Sequence, residues 1–444
     1  MSATETGADS QAPPGLLAAG LTPLQRLKAI AGGSAGNLVE WYDWFAYSSF
    51  ALYFAPHFFP QGDQTAQLLQ AAAVFAIGFL ARPLGAWLMG LYADRAGRRA
   101  ALSLSVAMMC AGSFVIAIIP DYAAIGVAAP IALLLARLLQ GLSVGGEYGA
   151  SATYLSEMAG RRRRGFWSSF QFVTLISGQL LALGILILLQ NVMAPADLES
   201  WGWRIPFFVG GLLAVVVFWI RRGLDESESF KNAQASGAER ARTMMLFRHH
   251  PWETTAIFLL TAGGSLAFYA YTTYMQKFLV NTSGFSKEAA TSITAAALIV
   301  YLFLLPLFGW LSDRWGRRTN LAFTFGAGML LTYPIMQAMA GVSDALTAFF
   351  LMVALIVIIS GYTSVSAVTK AELFPAHVRA LGVALPYAMA NALFGGTAEA
   401  VALSFKGWGI EQGFYLYVSA IMGVGLITSL LLRDSRKHSK ILED

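Results

Sequence analysis

The decapeptide Gly90-Leu-Tyr-Ala-Asp94-Arg95-Ala-Gly97-Arg98-Arg99 returns as Gly309-Trp-Leu-Ser-Asp313-Arg314-Trp-Gly316-Arg317-Arg318, keeping every position of a Gly-x-x-x-Asp-Arg-x-Gly-Arg-Arg pattern. The copies stand about half the chain apart, and each lies between two long apolar runs. A repeat so placed belongs to membrane topology, and it predicts two homologous membrane halves in tandem. A second repeat agrees: Glu157 precedes Arg164 by seven residues, and Glu372 precedes Arg379 by seven.

Hydrophobic residues make up 57% of the 444, and only 12% are charged, far too few to cover the surface of a soluble protein of this size. Stretches long enough to cross about 30 Å of hydrocarbon run at approximately 32–56, 66–91, 100–119, 126–154, 166–190 and 204–221, then at 252–278, 288–311, 320–340, 345–370, 380–404 and 412–432. Spans 1 to 12 below follow this order. Lys and Arg provide an independent check, because cytoplasmic loops retain positive charge. Alternate loops carry Arg26 and Lys28, Arg95 to Arg99, Arg161 to Arg164, Arg221 to Arg248, Arg314 to Arg318, Arg379, and Arg433 to Lys440; the others hold mainly Asp63, Asp121, Asp197, Glu199, Lys287 and Asp344. Twelve spans with both ends cytoplasmic satisfy this alternation. The net charge of +5 is then a topology signal that gives no reason to invoke nucleic acid.

The expected fold is an all-α integral membrane protein with twelve transmembrane helices in two pseudo-symmetric six-helix bundles. Residues 1–25 read as a flexible cytoplasmic tail, 26–222 as the N-terminal bundle, 223–250 as a cytoplasmic linker, 251–433 as the C-terminal bundle and 434–444 as a second cytoplasmic tail. The single cysteine, Cys110, excludes an intrachain disulfide or a thiol-based metal cluster. No Gly-x-x-x-x-Gly-Lys-Ser/Thr loop occurs, so ATP-driven transport lacks its phosphate cradle. The five histidines show no ligand spacing. No cofactor or metal is expected, nor an enzyme, since no nucleophile and base converge in the sequence.

Together, the two Asp-Arg-x-Gly-Arg-Arg loops, the Glu/Arg pairs and the 6 + 6 layout resemble the major facilitator superfamily over nearly the whole chain. More narrowly, Gly36-Asn37-Leu38-Val39-Glu40-Trp41-Tyr42-Asp43, Ala81-Arg82-Pro83-Leu84-Gly85 and the segment Arg137 to Gly149 are similar to the metabolite:proton symporter family. Within it, Thr272 to Thr282, Thr369 to Ala376 and Trp201 to Phe207 look most like carriers of α-ketoglutarate. The resemblance implies uptake of that dicarboxylate with protons across a bacterial inner membrane, by a chain functional as a monomer. A carrier of citrate, shikimate or proline/betaine is the alternative within the family, and a non-transporting membrane receptor the alternative outside it.

The ionisable residues inside the spans say something compatible, because a charge near a bilayer centre costs about 2.5–3.5 kcal/mol on insertion scales and is retained for a reason. In span 1, Glu40, Asp43 and Tyr47 share one helix face; in span 4, Arg137, Gln140, Val144 and Glu147 form one stripe beside the Gly141, Gly145, Gly149 seam. Asp43 and Arg137 fit either a proton-coupling pair or a permanent ion pair between spans 1 and 4. Glu40, Glu147 and Glu399 are further proton-coupling candidates, each equally suited to bracing a helix contact. Arg82 leads the substrate-binding candidates, as a fork of donors matched to a carboxylate, and Pro83 and Gly85 after it suggest a local helix break. Tyr47, Gln171 and Tyr274 could add neutral donors, and Lys370 a second cation. Lys277 suits a substrate cation or a side chain that snorkels to the interface.

Asp94, Arg95, Arg98, Glu157, Arg164, Asp313, Arg314, Arg317, Glu372 and Arg379 compose an expected cytoplasmic gate. Its charge pairs would form in one conformation and break in another, although the same arginines also satisfy the positive-inside rule without gating. Transport would proceed by rocking of the halves about a midplane cavity.

Overall fold

The computed structural model describes residues 23–96, 98–143, 161–222, 246, 248–434 and 439–441. Among them, twelve helical segments follow one another along the chain, and all regular structure is helical. Span 1 is Pro23–Phe58, span 2 is Gln64–Met89, span 3 is Arg98–Ile118, and span 4 is described over Ala128–Ser143. Spans 5 and 6 are Arg164–Val192 and Gly202–Trp219. Span 7 consists of Pro251–Tyr271 and, after a break, Met275–Asn281. Spans 8 to 12 are Lys287–Trp315, Arg317–Ala340, Ala345–Leu373, Val378–Gly407 and Gln412–Leu431. The expected positions thus hold to within a few residues, except that span 1 starts earlier and the end of span 4 lies outside the described residues. The linker over 223–245 and the tail over 1–22 lie outside the described residues.

Acidic and hydroxyl residues of the non-basic loops start the helices that follow them. Asp63 accepts a hydrogen bond from the Ala66 amide at 2.9 Å and Ser286 from that of Ala289 at 3.1 Å, each satisfying an orphan donor of a first turn. Asp344 accepts from both the amide and the hydroxyl of Thr347, which holds its carboxyl below the usual carboxylate range.

The molecule is apolar outside and polar inside. Phe303, Trp219, Leu330 and Val192 are exposed, as lipid-facing side chains must be, whereas Asp43, Arg137, Lys277, Lys370 and Glu372 are buried. Glycine lets the helices approach: a Cβ on Gly178 of span 5 would lie 2.9 Å from backbone atoms of Leu38 and Tyr42 in span 1, and Gly141 of span 4 sits directly on Gly78 of span 2. Between the halves, span 5 runs along span 8 and span 2 along span 11.

Span 2 is locally interrupted at Ala81, where helix Gln64–Leu80 ends and helix Arg82–Ala96 begins, as expected beside Arg82 and Pro83. The Ala81 amide bonds to Ile77 and that of Gly85 to Ala81 at 2.9 Å, so the helical ladder resumes on both sides of Pro83. Longer discontinuities occur in the C-terminal half. Span 7 loses regular helix at Thr272–Tyr274, span 10 at Ser364–Val365, and span 11 widens to a π-turn at Asn391–Gly395 before restarting at Ala398. Such interruptions are tolerated at membrane depth where the backbone is buried in protein or lines a cavity.

Candidate functional site

Asp43 and Arg137 meet in the N-terminal half, with Arg137 Nη1 3.3 Å from Asp43 Oδ2 and both side chains buried. Two residues close a ring around them. Arg137 Nη1 donates to Gln140 Oε1 at 2.7 Å, Gln140 Nε2 donates to Ser113 Oγ at 3.1 Å, and the Ser113 hydroxyl donates to Asp43 Oδ1. The stripe on span 4 had indicated Gln140; Ser113 of span 3 gave no signal, since a lone serine in an apolar run usually bonds its own helix.

Arg82 occupies an aromatic cage. Its guanidinium carbon lies 3.8 Å from the Phe79 ring centroid, 4.2 Å from Trp44 and 4.9 Å from Trp41. No carboxylate of the described residues stands within salt-bridge distance of it, and its buried Nε and Nη2 have no hydrogen-bond acceptor. The ion pair with a neighbouring span that would have made Arg82 purely structural is therefore absent among the described residues. Trp44 also receives Arg137, whose guanidinium carbon sits 4.0 Å from the same ring. One indole thus separates the two cations, an arrangement that sequence spacing on span 1 could not reveal.

Next to this cluster is a small void of about 10 Å³ between the halves, lined by Phe172 and Leu175 of span 5, Gly264, Ser265, Phe268 and Tyr269 of span 7, Tyr362 of span 10, and Tyr387 and Asn391 of span 11. Gln171 is buried beside Phe172. Lys370 donates to Ser366 at 2.8 Å and places its ammonium 4.2 Å from the Tyr387 ring, turned towards the cavity-lining tyrosines. Glu40 is buried one turn before Asp43 and lies within electrostatic reach of Arg82. Tyr47 stacks under Arg137 at 4.4 Å and spends its hydroxyl on the Ala71 carbonyl of span 2. Tyr274 packs edge-on against Phe278 and against Phe414 of span 12, apart from the cavity lining. Glu147 lies outside the described residues.

Lys277 does not snorkel. It is fully buried and bonds Glu399 Oε2 at 2.9 Å and Ser48 Oγ at 2.6 Å, joining spans 7, 11 and 1.

Contacts between the halves occur at both ends. At the arginine-rich end, the side expected from the sequence to be cytoplasmic, Asp313 of span 8 accepts from the Gly165 and Phe166 amides at the start of span 5, at 2.8 and 2.9 Å, and pairs with Arg317 at 2.7 Å. Glu372 draws in Arg317 at 3.6 Å and Arg164 at 3.9 Å, and the Val368 amide donates to Ser168 at 3.0 Å. Arg379 serves the carbonyls of Phe374 and Lys440, and Arg314 lies over Trp310 at 3.9 Å. The side chains of Asp94, Arg95 and Arg98, and Glu157, lie outside the described residues. The chain end also enters this layer: Lys440 bonds Glu372 and Glu253, while Ile441 is buried against Ala367, Ala371 and Val383. At the opposite end, Gln190 of span 5 donates to Tyr53 at 2.8 Å and to Thr291 of span 8 at 3.3 Å, Asn281 donates to Thr65, and Lys287 pairs with Glu199 at 2.8 Å. Among the described residues, the halves thus touch at both ends.

Residues 30–245 and 228–432 match the family model for sugar (and other) transporters. Alpha-ketoglutarate permease of Escherichia coli K12 is 51% identical over 421 residues, covering 94% of this chain and 96% of that protein. The citrate-proton symporter of Klebsiella pneumoniae is 33% identical over 92% of this chain and 93% of its own, and the proline/betaine transporter of Escherichia coli K12 is 31% identical over 92% and 83%. Among solved structures, the proton:xylose symporter XylE of the major facilitator superfamily superposes with a TM-score of 0.74 at 17% identity, over 94% of this chain and 98% of XylE.

Proposed function

Because the chain belongs to the sugar (and other) transporter family, a membrane transporter and not an enzyme, we propose that it carries a small dicarboxylate, α-ketoglutarate, inward together with protons across the bacterial inner membrane. Both termini are cytoplasmic in this reading, and the monomer is the working unit. The observation that carries it is Arg82, a buried cation with two guanidinium nitrogens lacking an acceptor, within electrostatic reach of Tyr269 and Tyr387, which line the small void between the halves. A buried donor left unsatisfied costs about 1–3 kcal/mol, and a carboxylate binding in the fork removes that cost for both partners.

The aromatic cage holds the guanidinium plane in place before the anion arrives, so little rotamer entropy is lost on binding. Lys370 and Gln171 complete the polar lining, while Tyr47 and Tyr274 position the helices around it. Asp43 carries the proton. Ionised, it holds Arg137 within the Ser113–Gln140 ring; protonated, it releases Arg137 and lets spans 1, 3 and 4 shift together. Glu40 and Glu147 tune the field near these groups. Residues 26–222 rock against 251–433, with 223–250 as the tether, and the Asp313–Arg317–Glu372–Arg164 layer, joined by Asp94, Arg95, Arg98, Arg314, Glu157 and Arg379, opens and closes the cytoplasmic side.

The test is uptake of labelled α-ketoglutarate into proteoliposomes with and without an imposed pH gradient, in competition with citrate, succinate and proline. Uptake that the gradient accelerates and succinate competes is expected. No uptake, with citrate or proline carried instead, would move the chain to the second reading, which the relatives named for citrate and for proline/betaine favour.

A further inference from the structure

Lys277 and Glu399 form an ion pair within the C-terminal half that takes a ligand from the other half. The ammonium, shut off from solvent, is 2.9 Å from Glu399 Oε2 and 2.6 Å from Ser48 Oγ, and the Ser48 hydroxyl points at the same carboxylate oxygen at 3.3 Å. Both helices that carry the pair are interrupted just before it. Span 7 breaks at Thr272–Tyr274 and resumes at Met275; span 11 passes through its π-turn and resumes at Ala398. The ligand Ser48 follows Tyr47, the residue on which Arg137 stacks, so the cluster adjoins the Asp43–Arg137 ring.

A pair that served only to tie span 7 to span 11 would gain nothing from Ser48, since rocking breaks that contact in every cycle. The ammonium has three donors, and the contacts with Ser48 and Glu399 use two. A dicarboxylate brings two negative charges into a low-dielectric space. Arg82 answers one, and an unanswered second would be expelled.

We propose that Lys277 receives the second carboxylate of the substrate, and that Glu399 occupies Lys277 as an internal stand-in until a proton neutralises it. This rests on the dicarboxylate reading above. The proton adds to a Glu399 carboxylate oxygen, the neutral acid gives up the ammonium, and the substrate carboxylate takes its donors; no covalent bond to carbon changes. The balance explains the coupling: before the step the pair sums to zero, and afterwards the ammonium and the substrate carboxylate again sum to zero. Either event alone would leave a net charge buried. The other titratable groups facing the pair are Tyr47 of span 1 and Tyr274 of span 7, with Glu411 and Tyr415 of span 12 beyond Tyr274. Span 2, packed along this part of span 11, has no titratable residue from Gln64 to Leu80. Glu399 is the one carboxylate bonded to Lys277 among the described residues, and it is the group assigned the proton.

The experiment measures binding of α-ketoglutarate and of the monocarboxylate 2-oxopentanoate to the purified full chain by calorimetry between pH 5 and 8. It compares wild type, Lys277→Gln, Glu399→Gln and the double variant K277Q/E399Q, which keeps the shape of the pair without either charge. Lys277→Gln and the double variant should bind α-ketoglutarate roughly 10- to 100-fold more weakly, the range of one ionic hydrogen bond, with 2-oxopentanoate almost unaffected. Glu399→Gln should bind the dicarboxylate with a flattened pH dependence. The proposal is overturned if the double variant restores wild-type dicarboxylate affinity, or if the dicarboxylate-to-monocarboxylate ratio is the same in all four proteins. Wild type that binds no α-ketoglutarate refutes the dicarboxylate reading itself, a result separate from either of these.

Discussion

Replacing Gly309 by Ala places one methyl group between the halves where the structure has no room for it. A Cβ built on Gly309 lies 2.6 Å from the Gly165 carbonyl oxygen and 3.1 Å from both Gly165 C and Phe166 Cα, all backbone atoms that no rotamer change can move. Relief requires spans 5 and 8 to separate by somewhat less than 1 Å, which also stretches the 2.8 and 2.9 Å bonds from Gly165 and Phe166 to Asp313. Overpacking of this kind costs about 1–3 kcal/mol. The cost falls only on states in which the cytoplasmic end is closed, so the closed-to-open ratio should drop by roughly 5- to 150-fold. Helix propensity acts in the opposite direction, since Ala in a helix interior is favoured over Gly by about 1 kcal/mol; the variant should therefore fold at least as well as the parent. Cys110 is the only cysteine, so a Cys110→Ser background carrying Ser168→Cys reports opening through its labelling rate with a membrane-impermeant maleimide applied from the cytoplasmic face. Gly309→Ala should raise that rate within the stated range and slow uptake. Gly184→Ala is the control, because a Cβ there meets nothing within 4 Å. Wild-type labelling and uptake in Gly309→Ala, with the control equally unchanged, would show that this contact does not form during transport.

Asp43→Asn should retain exchange of substrate across the membrane but lose accumulation driven by a pH gradient; gradient-driven accumulation that persists would place the coupling proton elsewhere. Trp44→Leu removes the ring shared by Arg82 and Arg137, and with cation–π contacts worth about 0.5–2 kcal/mol each it should weaken substrate binding several-fold, read by calorimetry; unchanged affinity would deny the cage a role in holding Arg82. Truncation after His438 withdraws Ile441 and the Lys440 contacts from beneath Glu372 and should speed cytoplasmic labelling of the Ser168→Cys reporter; an unaltered rate would make that segment irrelevant to closure.

The succession of helices was legible in the sequence because it rests on a signal that the bilayer imposes directly, the length of apolar runs. Partners across the halves were not legible. Glu399 is remote in sequence from Lys277, and nothing along span 11 marks which neighbour it faces; the same holds for Ser113 and Trp44. In a water-soluble helix, apolar periodicity separates inside from outside, but lipid and protein interior are both apolar, so an aromatic stripe carries no such direction. Asp313 illustrates a second limit. The repeat marked it as part of a gate of charge pairs, and it does pair with Arg317, yet its contact across the halves is with two backbone amides. Backbone donors have no sequence signature. Span 2 illustrates a third: Pro83 marks the short interruption at Ala81, whereas the longer interruptions in spans 7 and 10 contain no proline and had no such signal.

The two closed ends differ in chemistry, and the difference bears on how a carrier with both ends shut can still move. The cytoplasmic layer buries Arg164, Arg317, Arg379 and Glu372, so closing it removes several charges from water at a cost that their mutual attraction only partly offsets. The opposite end closes mainly with neutral amides and hydroxyls, through Gln190, Tyr53, Thr291, Asn281 and Thr65, together with the more exposed Lys287–Glu199 pair. Opening the cytoplasmic end thus rehydrates charge, whereas opening the other end exchanges ordinary hydrogen bonds for bonds to water, worth about 0.5–1.5 kcal/mol each. Neither end is held by a large uncompensated energy. Binding of the substrate's two carboxylates at Arg82 and Lys277, with protonation of Asp43 and Glu399, each contributing a few kcal/mol, is then enough to decide which end yields.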